Sequence, residues 1–71
     1  MVITRYFNTK GNLIIQPQDS PQTIPSKGSR FLLSLEHTIT HYFVQDVTYI
    51  IEADSFSGPF RTVVDITLEK F

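Results

Sequence analysis

The sequence predicts an all-β domain of about five antiparallel strands, folded as a small, strongly bent sheet or open barrel. Three observations carry this. Residues 41–53 (HYFVQDVTYIIEA) and 60–70 (FRTVVDITLEK) are rich in β-branched and aromatic residues, which pack well on a pleated surface, and the turn-rich DSFSGP joins them. The second run alternates cleanly, with Thr62, Val64, Ile66 and Leu68 on one face and Val63, Asp65, Thr67 and Glu69 on the other. No window carries a sustained helical apolar period. The 71 residues leave room for one domain, residues 1–71.

In chain order, VITRYF (residues 2–7) is a first short strand. Asn8 to Asn12 supply turn chemistry, with Gly11 able to take a positive φ, and Leu13-Ile14-Ile15 return as the second arm of a hairpin. The single glycine lacks the companions and the Lys-Ser or Lys-Thr pair of a phosphate loop. Residues 17–29 hold three of the four prolines and no apolar run, so they form an extended surface crossover, with Ile24 tucked onto the core. Pro21 and Pro25 are not spaced as a PxxP ligand. RFLLSL (residues 30–35) is the next strand, with Phe31 and Leu33 inward. A turn must follow within residues 36–41, although neither Gly nor Pro marks it.

The long run from His41 is less regular. Phe43, Val47, Tyr49 and Ile51 share a face with Gln45, while Val44 and Ile50 share the other with Asp46, Thr48 and Glu52. A bulge or sharp bend at Gln45-Asp46 resolves the conflict, because a strand this long must curve to close a core in so small a domain. The expected core is then Ile3, Leu13, Ile15, Phe31, Leu33, Val47, Tyr49, Ile51, Val64, Ile66 and Leu68.

Composition narrows the function classes. There is no cysteine, hence no disulfide and no thiolate metal site, which suits a cytoplasmic protein. No apolar run is long enough to span a membrane, and no signal segment follows Met1. Six basic and seven acidic residues leave a net charge of −1, whereas a phosphate-gripping domain carries a basic excess.

The sequence offers little chemistry. His37 and His41 would share one face of a helix, but Thr38, Ile39 and Thr40 between them favour a strand, so no metal site is expected. Asp46 and Asp65 lie in facing runs and could approach across the ladder, with Arg30 or Arg61 between them; both read as solvent-face residues. Ser34, His37 and Asp46 form a triad only on paper, without a nucleophile-elbow sequence. The expectation is a protein without catalytic residues, cofactor or metal.

IPSKGSRFLLSL followed by HYFVQDVTYIIEA and RTVVDITLEK resembles a small barrel of the SH3-like type, in which a polar loop leads into a short strand, a longer bent strand and a closing strand. The resemblance covers roughly residues 24–70. It implies an interaction module, a virion or machinery adaptor, or a nucleic-acid binder, without choosing among them.

We therefore expect first a non-enzymatic interaction or structural domain, of a size that suits a phage or mobile-element adaptor, acting by self-association or on a protein partner. So short a chain buries little apolar surface alone, which favours a homo-oligomer, most simply a dimer. Val44, Ile50, Val63 and Phe71 form a second apolar strip for such a contact, and Phe56, at the tip of a polar loop, is a further anchor. The alternative is a nucleic-acid-binding small barrel using Arg5, Lys10, Lys27, Arg30 and Arg61 around Tyr6 and Tyr42. A small enzyme, or a binder whose pocket forms between subunits, ranks third.

Overall fold

The computed structural model describes residues 2–18 and 23–71. Pro21, expected in the crossover, lies outside them. The described chain forms five strands, β1 (Val2–Phe7), β2 (Leu13–Ile15), β3 (Arg30–Leu35), β4 (Thr38–Ala53) and β5 (Phe60–Lys70). It contains no helix long and apolar enough to cross a membrane. The strands make one sheet in the order β2-β1-β5-β4-β3, curled into a half-barrel.

The sheet is mixed rather than antiparallel throughout. β1 runs parallel to β5, from Val2 opposite Thr62 to Phe7 opposite Thr67, while the other three pairs are antiparallel. β5 is thus the central strand and not a closing one. The reason lies in the connection: an antiparallel hairpin, β1–β2, and an antiparallel meander, β3–β4–β5, are joined by a long loop between opposite edges. Ile24, on that loop, packs against the core as expected.

The core lies on the inner face. Thr4, Tyr6, Val44, Val64, Ile66 and Leu68 are buried there, and Ile14, Ile15, Phe31, Tyr42 and Val47 pack around the apolar members. The Tyr6 and Phe31 rings are 5.0 Å apart. Burial pushes the Tyr6 phenol above its ordinary range, which keeps it neutral.

Gln45 is the extra residue of a bulge. Val44 faces Leu68 and Asp46 faces Thr67, so the ladder skips Gln45 and the alternation of β4 reverses there. Val44 and Tyr42 thereby join Val47 on the inner face, and Phe43, His41 and Ile39 turn outward. Val44 is consequently a core residue, 1% exposed, and is not part of an outer strip.

Other assignments move as well. Ile3 alternates with Thr4 and so lies on the outer face, beside Val63. Leu13, at the start of the short edge strand, is exposed. Tyr49 and Ile51 are on the inner face, but they are 63% and 65% exposed because that half of the hairpin extends past the residues that cover the core. The molecule is accordingly elongated, 43 × 21 × 21 Å, with a radius of gyration of 13.3 Å. A compact chain of this length would have a radius of roughly 11 Å.

The turn unmarked in the sequence is a two-residue reversal at Glu36 and His37, with φ of 51° and 68°. Leu35 pairs with Thr38 across it. Both central residues take the left-handed region, as a twist-matched hairpin turn demands; histidine is among the types enriched there, glutamate is not, and neither is the Gly, Asn or Asp that marks such a turn. The β1–β2 turn has the expected chemistry: the Asn8 carboxamide oxygen accepts from the backbone N–H groups of Lys10 and Asn12, each at 2.9 Å.

Thr4 carries a mismatch in the core. Its hydroxyl is buried opposite Val64 and has no hydrogen-bond partner among the described residues. Thr4→Val, which keeps the shape and removes the stranded polar atom, is expected to stabilise the domain by about 1 kcal/mol. In a thermal melt that corresponds to a rise of roughly 4–8 °C.

Candidate functional site

The β4–β5 hairpin presents exposed apolar side chains at both of its ends. Tyr42 pairs with Lys70 at one end and Ala53 with Phe60 at the other. The span between them is roughly 35 Å at the usual rise of an extended strand.

At the far end the loop is well built. The Gly58 N–H donates to the Ser55 carbonyl at 3.1 Å, and the Ser55 hydroxyl donates to the Gly58 carbonyl at 2.8 Å. Gly58 has a φ of 97°, which favours glycine, and a side chain there would stand 3.1 Å from the Phe60 ring, so the ring would have to give slightly. The Gly58–Pro59 peptide is cis. This loop holds Phe56 entirely in solvent, at 106% relative exposure. Phe56, Phe60, Ile51, Ala53 and Ser55 border a shallow hollow of about 450 Å³. Glu52, Asp54 and Arg61 line a separate hollow beside Pro59 and Phe60, and Glu52 accepts a 2.6 Å hydrogen bond from Arg61, which raises the Arg61 pKa further.

At the near end Arg30, Ile39, Thr40, His41, Lys70 and Phe71 line an open groove of about 590 Å³. Phe71 is anchored here. Its N–H donates to the His41 carbonyl at 3.1 Å, its ring lies 4.0 Å from that of Phe43, and the Arg30 guanidinium sits 5.3 Å above it. Phe43, Ile39 and Leu32 continue the exposed apolar surface on this side. The groove lining includes two cations, Arg30 and Lys70, and no carboxylate side chain, although Glu69 lies close by, opposite Phe43.

The five candidate contact residues therefore separate. Phe56 and Phe71 are exposed, at opposite ends. Val44 is in the core. Val63 is 2% exposed on the outer face, where the register sets it between Ile3 and Ile50, and Ile50 is half-buried. Val63 thus touches its own sheet neighbours and offers little to a partner. Leu32 lies outward, as its alternation with Phe31 and Leu33 implies, whereas Phe43 is turned outward by the reversal at the bulge and Ile39 follows the turn that no residue marks. Tyr49 and Ile51, expected in the core, are exposed.

The chemistry-bearing residues stay apart. Asp65 is gripped by Arg5, not by Arg30 or Arg61, through bonds of 2.7 and 2.9 Å, and this pairing raises the Arg5 pKa further. Asp46 lies opposite Thr67 and accepts from the Val47 N–H. His37 is in the β3–β4 turn and His41 in β4, and no three His, Asp or Glu among the described residues gather as metal ligands. Of the residues named for nucleic acid, Arg5 and Arg61 are held by carboxylates and Tyr6 is buried. Comparison with protein-family models, with curated proteins and with solved structures finds no match.

Proposed function

We propose that this chain is a non-enzymatic interaction or structural domain that acts by self-association or by binding a protein partner through the apolar ends of its β4–β5 hairpin. The observation that supports this best is Phe56, a phenylalanine held fully in solvent by an ordered, hydrogen-bonded loop. A large apolar side chain kept in water favours transfer to a partner, and a ring on a fixed loop loses little freedom when it binds. The surface area agrees. The chain exposes 5381 Å², whereas a compact monomer of its mass exposes roughly 4,500 Å². The excess is close to the roughly 800 Å² that each partner contributes to a standard interface. An adaptor role, in a phage or mobile-element setting, is the part of the proposal that rests on the small-barrel resemblance.

The test is sedimentation over a range of protein concentrations in low and high salt, alongside fluorescence anisotropy with labelled single-stranded and duplex nucleic acid. We expect association above the 8.2 kDa monomer that survives high salt, because apolar contacts are little screened, and no nucleic-acid binding at physiological salt. A monomer at every concentration, together with nucleic-acid affinity that falls steeply as salt rises, would replace this reading with the nucleic-acid one.

A further inference from the structure

Resting on the interaction reading, we infer that the partner is a second copy of this chain bound head to tail, with the Phe56 tip of one copy seated in the Arg30–Lys70–Phe71 groove of the next. The two apolar surfaces lie at opposite ends of the hairpin and differ in form: Phe56 projects fully into solvent, whereas Phe71 is held against Phe43 and under Arg30 in a shallow, open groove.

Charge separates this pairing from its alternatives. At the tip Arg61 is bonded to Glu52, which leaves a net negative charge from Asp54, whereas Arg30 and Lys70 line the groove and outnumber the nearby Glu69. Set end to end about a two-fold axis, tip on tip or groove on groove, each surface meets its own copy and like charges come together. Tip into groove brings opposite charges together and covers both apolar ends with one kind of contact. Made end to end, such a contact is heterologous and propagates into a ring or an open filament, whereas two antiparallel copies lying side by side would exchange two such contacts about a two-fold axis and stop at a dimer.

Complementary variants test it by sedimentation. Phe56→Asp disables the tip and Ile39→Asp disables the groove; both positions are exposed, so the fold should persist, which far-ultraviolet circular dichroism checks. Lys70→Glu is a second groove variant. The wild type should grow beyond the dimer as concentration rises. Each variant alone should associate roughly 30-fold more weakly or worse. An equimolar mixture of a tip variant and a groove variant should form a one-to-one pair and stop there, because only one intact tip and one intact groove remain.

Four outcomes overturn the inference. A wild type that stops at the dimer replaces the end-to-end contact with the antiparallel exchange. If either variant alone associates like the wild type, or if the mixture stays monomeric while the wild type associates, the contact is two-fold or runs along the β3 edge, and self-association itself stands. A wild type that is monomeric throughout removes the head-to-tail contact and self-association together.

Discussion

Deleting Thr67 from β5 is expected to unfold the domain, whereas deleting Gln45, next to the ladder partner of Thr67, is expected to leave it folded. Gln45 is the unpaired residue of the bulge, between Val44 opposite Leu68 and Asp46 opposite Thr67. Its removal gives a regular ladder in which Val44 and Val47 keep their inner positions. The cost is a change in local bend, on the order of 1 kcal/mol. Thr67 has no such freedom. It spaces Ile66 and Leu68 so that both point inward, and β5 is paired on both sides. Without it, keeping Ile66 in place sends Leu68 outward and puts Glu69 opposite Val44. A slip of one residue exchanges the faces of everything beyond it. The loss of a buried leucine and the burial of an unpaired carboxylate each cost several kcal/mol. Circular dichroism and urea denaturation distinguish the two deletions directly; an unfolded Gln45 deletion or a stable Thr67 deletion would contradict the register.

Ile66→Ala and Ile51→Ala are expected to differ widely, although both positions are isoleucines on the inner face of the same hairpin. Ile66 is fully buried, between Tyr6 on one side and Val47 on the other. Truncating it leaves a cavity that a central strand cannot collapse into, at a cost of about 3–4 kcal/mol. A domain of this size has roughly 4–11 kcal/mol in total. The melting temperature should therefore fall by about 15–25 °C, and the variant should be substantially unfolded at low denaturant. Ile51 is already in water, so its truncation should change stability by less than about 1 kcal/mol while weakening association. Equal losses at the two positions in the monomer would mean that the far half of the hairpin is covered.

The strands were legible because their composition and alternation are local properties. Residues 60–70 announce both faces of β5, and the broken alternation around Gln45 announces the bulge. Strand direction was not legible. Nothing in VITRYF distinguishes parallel from antiparallel pairing with β5, since that depends on the path of the loop between the two antiparallel units. The Glu36–His37 turn was hidden for a different reason: its backbone demands positive φ at both positions, but it carries none of the Gly, Asn or Asp residues that mark such a turn. Burial was the least legible property. Tyr49 and Ile51 follow the same pattern as Val47, and only the extent of the covering loop and of β1–β2 decides which of the three meets water. The reversal at the bulge hid the outward side of Phe43 and the unmarked turn hid that of Ile39, while Phe56 stood out because a phenylalanine in a polar loop has no local reason to be there.

The parallel β1–β5 pair also fixes how the chain bears a load. A pull applied at Val2 and Lys70 drags the two strands past each other, so the hydrogen bonds along all six register pairs resist together. An antiparallel arrangement of the same strands would bring the pulled ends to one side and let the bonds open one after another, like a zip. Forced opening is governed by the unfolding barrier and not by the equilibrium stability, so a domain of modest stability can still be mechanically stiff along its 43 Å axis.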